Sequence, residues 1–231
     1  MISQLTVVIP AYNEREGIEE SIAGIQNALE ALALEYELIV VDDGSTDGTE
    51  AILSSTNGIR LLPSGTNRGY GAAIKRGIDC ATYDHVLITD ADASYPPACV
   101  AALVERIDGY DMIIGSRHLS SIEIPLSWKL AKLLVQSLLF LFVRRWIPDV
   151  NSGARIFRRT LAVELAPILS DGFSYTSGMT VAALRSGSRV RFTPIEYLRR
   201  KGRSKVRPVS YSWTFVRSVT RALAYHPPAG S

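Results

Sequence analysis

The sequence has two cysteines, three histidines and no long uninterrupted apolar run, and each shortage removes a class of explanation. Cys80 and Cys99 stand far apart, with neither a CxxC spacing nor neighbouring histidines. That argues against a zinc site and leaves two reduced packing residues. A surplus of one charge is also missing: 25 Lys and Arg against 23 Asp and Glu leave a net charge of +2. Such a balance points to no nucleic-acid partner, so any basic function is local. The most apolar stretch, Leu130 to Val143, is interrupted by Lys132 and Gln136 and is shorter than the roughly 20 residues that cross a bilayer. A strand begins within a few residues of Met1, without a basic and apolar leader, so a cytoplasmic location is expected. Linkers, repeats and low-complexity tracts are lacking as well.

What is present reads as one α/β domain, because 47% of the 231 residues are apolar and a chain of this length can bury one substantial core. Short β-branched runs at Leu5 to Ile9, Glu37 to Val41, Val86 to Thr89, Met112 to Gly115 and Val190 to Ile195 read as buried strands. Between them, Ile18, Ile22, Ile25, Leu29 and Leu32 recur at three- and four-residue steps after Arg15 and form one face of a helix. Ser45-Thr46-Asp47 is expected to cap a second helix through Ile52, and Gly69 to Ala81 supplies a third. Alternation of this kind builds a mostly parallel sheet with ligands at the carboxyl ends of its strands. The catalytic domain is expected over residues 1–208. Residues 209–231 are expected to form an amphipathic tail, with Tyr211 to Tyr225 helical and ended by His226-Pro227-Pro228.

The chemistry-bearing residues fall at those strand ends. Asp90 and Asp92 flank Ala91 after Val86-Leu87-Ile88, and residues two apart in an extended chain present their carboxylates to the same side. Mg²⁺ or Mn²⁺ suits such a pair, since these ions take one or two protein carboxylates and complete their shell with water and phosphate oxygens. An isolated Asp-x-Asp ahead of Pro96-Pro97 also reads as a solvated turn, and its place after a buried strand decides for the metal. Asp43, in Asp42-Asp43-Gly44-Ser45-Thr46-Asp47, can accept from ribose hydroxyls or base N–H groups. Pro10-Ala11-Tyr12-Asn13-Glu14 offers an aromatic face, an amide and a carboxylate where a nucleobase could rest. Asn67-Arg68-Gly69-Tyr70-Gly71 adds a cation and glycines that permit close approach to substrate.

As an ordered set, these segments resemble glycosyltransferase family 2, and more narrowly the polyprenyl-phosphate glycosyltransferases that include dolichyl-phosphate mannose synthases. The matching pieces are VIPAYNE (Val8 to Glu14), VVDDGSTDGT (Val40 to Thr49), NRGYGAAIKRGI (Asn67 to Ile78), DADASYPP (Asp90 to Pro97), GSR (Gly115 to Arg117), DVNSGARIFRR (Asp149 to Arg159) and KGRSKV (Lys201 to Val206). The resemblance implies the GT-A fold, a Rossmann-like, mostly parallel sheet flanked by helices. It also implies a GDP- or UDP-sugar donor, a divalent cation at Asp90 and Asp92, and nucleotide contacts from Pro10, Tyr12, Glu14 and Asp43. Arg203, Ser204 and Lys205 match a segment that lies beside the diphosphate and the acceptor phosphate, and Arg117 is a similar anion ligand. Without the resemblance, the run Arg199, Arg200, Lys201, Arg203, Lys205 and Arg207 reads as a solvated loop or a membrane contact.

Two departures bear on the substrates, the first on the donor and the second on the acceptor. Relatives often carry Leu-Gln-His after Asp-Ala-Asp, where this chain has Ala93-Ser94-Tyr95 and so lacks an amide near the metal. Many relatives also carry acids where this chain has Gly172 to Thr180, and no acid lies between Asp171 and Glu196. A hydroxyl acceptor needs a base, whereas a phosphate is already anionic. The leading expectation is therefore inverting transfer to a polyprenyl phosphate. The alternatives are transfer to a glycan or other hydroxyl, with Asp149 as base, and an inactive nucleotide- or metal-binding partner subunit. Trp128, Lys129, Arg144, Arg145 and Trp146 flank the apolar stretch, as at a helix lying on the cytoplasmic face of a membrane, or one buried in the fold. Related enzymes often continue into transmembrane helices where this chain ends at Ser231, so the expectation is a peripheral or shortened enzyme.

Overall fold

The computed structural model describes residues 2–118, 136–137, 139–198, 200 and 208–225. A seven-stranded sheet runs through them in the order β3-β2-β1-β4-β6-β5-β7. Its strands are β1 (Gln4–Ala11), β2 (Glu35–Asp42), β3 (Arg60–Pro63), β4 (His85–Ile88), β5 (Met112–His118), β6 (Arg155–Arg158) and β7 (Val190–Glu196). All pairings are parallel except those of β6, which runs antiparallel to both neighbours, with Val86 opposite Phe157 and Ile113 opposite Ile156. The strand order turns around at β1, with β2 on one side and β4 on the other. An open α/β sheet forms its ligand crevice at such a point.

Side-chain alternation along the strands divides the core into two layers. Val8, Val41, Val86, Ile88 and Ile114 face one side, where α3 (Tyr70–Asp79), α5 (Arg159–Leu165), α6 (Tyr175–Arg185) and α7 (Pro208–Leu223) pack. Val7, Ile9, Val40, Leu87 and Ile113 face the other, against α1 (Ile18–Ala31), α2 (Thr49–Ser55) and α4 (Ala98–Val104). Ile18, Ile22, Ile25 and Leu29 of α1 are buried as their spacing requires, and each such side chain contributes about 1.5–3 kcal/mol. Leu32 is the cap residue beyond the end of α1 and is only partly buried.

Several expectations shift by local chemistry. Helix α1 starts at Ile18 instead of near Arg15, because Asn13 adopts a positive φ of 53° and the Gly17 and Ile18 amides donate to Glu14 O. The residue that caps α2 is Gly48, at φ 96°. Of the expected trio, only Asp47 serves that end, accepting from the Thr49 amide and hydroxyl. Ser45 Oγ accepts from the Asn13 amide, and the Thr46 amide donates to Asn13 Oδ1, which ties the β1 and β2 ends together.

Half of the apolar stretch Leu130 to Val143 lies outside the described residues. Helical residues 139–143 bury Leu139 but expose Phe140, Leu141 and Phe142. Helix α7, read from sequence as a tail, buries Ser218, Val219 and Ala222, and Ser218 donates to Ser174 O at 3.0 Å. Among the described residues no helix is long and apolar enough to cross a membrane.

Candidate active site

The crevice at the β1–β4 switch is a cavity of about 440 Å³. One wall comes from the ends of β1 and β2 and the start of α3. Pro10, Tyr12, Glu14, Asp43 and Asn67 line it, as the sequence places them. Arg68 does not line it. Instead the Arg68 and Gly69 amides donate to the two oxygens of Asp43 at 2.9 and 2.8 Å. Burial raises the Asp43 pKa, and those two bonds only partly oppose it. A carboxylate has room for further donors. The glycines of this segment are required by the fold, and Gly69 also lines the cavity. Gly69 has φ 106°, and a Cβ on Gly69 or Gly71 would strike the backbone of Ser170 and Asp171.

Asp90, Ala91 and Asp92 form the floor. Strand β4 ends at Ile88, so the triplet lies in the turn beyond it rather than in extended chain, and Ala93 takes a φ of 56°. The turn still brings both carboxylates into the cavity. Asp92 Oδ1 accepts from the Ser94 amide at 3.1 Å, and Asp92 Oδ2 meets Arg200 Nη2 at 3.0 Å. Asp90 Oδ1 accepts from the Tyr70 hydroxyl at 2.9 Å. Burial, then the charge of Asp92, pushes Asp90 up to about 6. Tyr70 is pushed well above its ordinary value by burial and by Asp90, so its hydroxyl stays protonated and donates.

The other wall comes from the β5 end, the segment before β6, and the start of α6: Arg117, Asn151, Gly153, Phe173 and Thr176, with Tyr197 beside them. Arg117 grips Asp149 through Nε and Nη2 at 2.7 and 2.9 Å and lies 5.3 Å from the centre of the Tyr197 ring. Burial acts to raise Asp149, but the hydrogen bonds and charge of Arg117 outweigh it and hold the carboxyl below its ordinary value. Asp149 is therefore a poor general base, which counts against the role the hydroxyl-acceptor alternative gives it. Behind this wall, fully buried Arg155 donates to Ser152 O, Thr176 O and Thr180 Oγ1. It fixes the backbone that carries Asn151, Gly153 and Thr176.

Arg203, Ser204 and Lys205 lie outside the described residues. Their neighbour Arg200, the one described residue of the basic run, is not solvated: its side chain is half-buried and bridges Asp92 and Glu14, the latter at 3.4 Å. Arg200 is placed there because the Leu198 amide donates to Ser94 O and Tyr197 packs edge-on against Tyr95. Sequence reasoning assigned no site role to Arg200, Tyr70, Asn151, Arg155, Phe173 or Thr176. All but Arg200, Phe173 and Thr176 lie within the matching motifs, which was the signal available.

The donor set fits a hard divalent ion. Buried Asp92 and partly buried Asp90 both line the cavity, and Asp92 already holds a cationic group, Arg200. The described residues contain no cluster of three or more possible protein ligands, and Mg²⁺ or Mn²⁺ needs only one or two carboxylates when phosphate oxygens and water complete its shell.

Residues 6–165 match the model of the family described as Glycosyl transferase family 2. The chain belongs to this family. It is 32% identical over 217 residues to a dolichol-phosphate mannosyltransferase of Pyrococcus furiosus, covering 88% of this chain and 59% of that protein. It is 29% identical over 210 residues to a polyprenol monophosphomannose synthase of Mycolicibacterium smegmatis, covering 84% and 77%. The chain thus spans less than two thirds of the length of the first of these relatives. Among solved structures, glucosyl-3-phosphoglycerate synthase of Mycobacterium tuberculosis, crystallised with Mn²⁺, UDP-glucose and phosphoglyceric acid, aligns with a TM-score of 0.78. The two are 22% identical, over 98% of this chain and 82% of that one. That likeness establishes the GT-A fold.

Proposed function

We propose that this family 2 chain is an inverting, metal-dependent glycosyltransferase that moves a sugar from a nucleoside-diphosphate sugar to a polyprenyl phosphate. The observation that carries the acceptor class is the chemistry of the Arg117 wall. Among the described residues its lining consists of Arg117, Asn151, Gly153, Phe173, Thr176 and Tyr197, without a carboxylate, and Asp149 behind them is held ionised by Arg117. Such a wall suits an acceptor that arrives anionic and needs no base. The names of the two mannosyltransferase relatives support the same class.

In this reading Pro10, Tyr12 and Asp43 bind the nucleoside, and Asp90 and Asp92 hold Mg²⁺ or Mn²⁺. The cation, when bound, stabilises the departing nucleoside diphosphate as a Lewis acid. Arg200, with Arg203 and Lys205, supplies positive charge to the diphosphate. Arg117, with Ser204, orients the acceptor phosphate so that its oxygen attacks the anomeric carbon opposite the leaving group. No covalent enzyme intermediate forms.

The test compares a polyprenyl phosphate with the free polyprenol, using GDP- and UDP-sugars and Mn²⁺. Transfer to the phosphate alone is expected, and equal rates on the two would overturn the acceptor class. Turnover that persists in excess chelator would sink the cation. Peripheral membrane contact belongs to the same proposal. Exposed Phe140, Leu141, Phe142 and Trp146 adjoin Arg144 and Arg145, a mixture suited to an anionic interface. Flotation with anionic vesicles at low salt checks it, and a chain that stays at the bottom of the gradient refutes it.

A further inference from the structure

We infer that Tyr70 is a positioning residue whose hydroxyl sets the orientation in which the Asp90 carboxylate receives a divalent cation, and that Phe173 holds the Tyr70 ring in place. The inference rests on the reading of Asp90 and Asp92 as the cation site. The two carboxylates of that pair are oriented by different means. Asp92 is fixed by a backbone amide, Ser94 N, and by the Arg200 guanidinium. Asp90 is fixed by the Tyr70 hydroxyl at Oδ1.

The surroundings make that contact rigid. Asp90 also lies against Gly153 so closely that a Cβ there would sit 2.6 Å from both carboxylate oxygens. Its main-chain carbonyl accepts from Ser21 Oγ at 3.2 Å. With Oδ1 taken by Tyr70 and the backbone fixed, the carboxylate has one orientation and Oδ2 remains for a further partner.

Tyr70 is itself over-determined. Its ring stacks on Phe173 with centroids 5.5 Å apart and planes 21° from parallel. The backbone beneath it is clamped to the loop that carries Phe173. The Ala72 amide donates to Asp171 O at 3.0 Å, and Lys75 Nζ reaches Leu169 O at 2.7 Å and Asp171 Oδ1 at 2.8 Å. A loop just before α6 thereby sets the geometry of a floor residue after β4. Partners that orient a metal-binding carboxylate are worth roughly 10–100-fold in metal affinity.

The experiment measures Mn²⁺ binding to the full chain by the loss of the free-ion EPR signal, with and without added UDP or GDP. Wild type, Tyr70→Phe and Asp92→Asn are compared, and melting curves report the fold. Tyr70→Phe keeps the stack and removes only the hydroxyl, so Mn²⁺ affinity is expected to fall about 10–100-fold with the melting transition retained. A Tyr70→Phe chain that melts lower but binds Mn²⁺ as wild type does would overturn the inference and leave Tyr70 a packing residue. If wild type shows no saturable Mn²⁺ binding, or Asp92→Asn binds equally well, the cation-site reading has failed and the inference falls with it. Should Tyr70→Phe not fold, Phe173→Leu carries the test. It keeps the hydroxyl and removes the stacked ring, and a loss of about threefold is expected. Unchanged affinity in that variant would be equally fatal.

Discussion

The two walls of the cavity each keep a buried carboxylate, and they neutralise it in different ways. Asp43, on the wall formed by β1 and β2, takes two backbone amides and keeps a raised pKa because burial is incompletely offset. Asp149, behind the opposite wall, takes the forked guanidinium of Arg117 and keeps a lowered one. A full countercharge compensates desolvation where two amide dipoles do not. On the proposed reading, the Asp43 wall keeps acceptor capacity for an uncharged nucleoside, and the Arg117 wall meets the anionic acceptor. The floor carboxylates Asp90 and Asp92 lie where the walls meet.

The largest expected effect comes from the floor, because a change there disables both walls at once. Asp92→Asn removes a charge but little volume, and transfer should fall about 100- to 1000-fold at saturating Mn²⁺ with the circular dichroism spectrum unchanged. A loss shared equally between donor and acceptor kinetics would fit a joint floor. An effect confined to one substrate would assign Asp92 to a single wall. Next comes Gly153→Ala, where the added methyl displaces the Asp90 carboxylate. About 10–100-fold in activity is expected, since misplacement on the ångström scale costs that much. Wild-type activity in Gly153→Ala would show that this contact does not set the position of the carboxylate.

Single-wall changes should separate the substrates. Asp43→Asn replaces an acceptor oxygen by an amide that faces a backbone N–H, and leaving one such buried donor unpaired costs about 1–3 kcal/mol. The KM for the nucleotide sugar is expected to rise about tenfold or more, with the KM for the acceptor unchanged. Arg117→Lys cannot form the fork to Asp149 and should raise the acceptor KM instead. Identical KM patterns in the two variants would erase the distinction between the walls.

That distinction also marks how far the sequence was legible. The Asp43 wall and the floor consist of contiguous strand-end segments, so the position of Pro10, Tyr12, Asp43 or Asp92 after an apolar run was enough to place it. Strands β1, β2, β4, β5 and β7 were legible for the same reason, whereas the four-residue edge strand β3 was not, since Leu61 and Leu62 are its only aliphatic residues. Strand β6 was not, because Arg155 and Arg158 bracket only two apolar residues and the burial of Arg155 has no periodic signal. The Arg117 wall is assembled from segments far apart in sequence. Arg117 reaches Asp149 across 32 positions, and Asn151 meets Ser177 across 26. Ser45 and Thr46 have the composition of caps, but a tertiary partner, Asn13, took their hydrogen-bonding groups first.

The smallest expected effect is also the most direct test of how each wall treats its charge. Both carboxyls start from an ordinary value of 3.8. Asp149 is depressed by folding, so its contribution to stability is complete above that value and is lost as pH falls through its lower folded value. Asp43 is raised, so the native state takes up its proton first, and its contribution improves as pH falls through the folded value. Relative to wild type, Asp149→Asn should flatten the acid limb of a plot of melting temperature against pH, because a group that loses stability in acid has gone. Asp43→Asn should steepen that limb, because an opposing group has gone. Each change is expected to amount to a few degrees, at roughly 4–8 °C per kcal/mol in a small domain and less in one of this size. Differential scanning between about pH 3 and pH 7 measures both. Shifts of the same sign would mean that the two carboxylates are compensated alike and that the contrast between the walls lies in shape rather than charge.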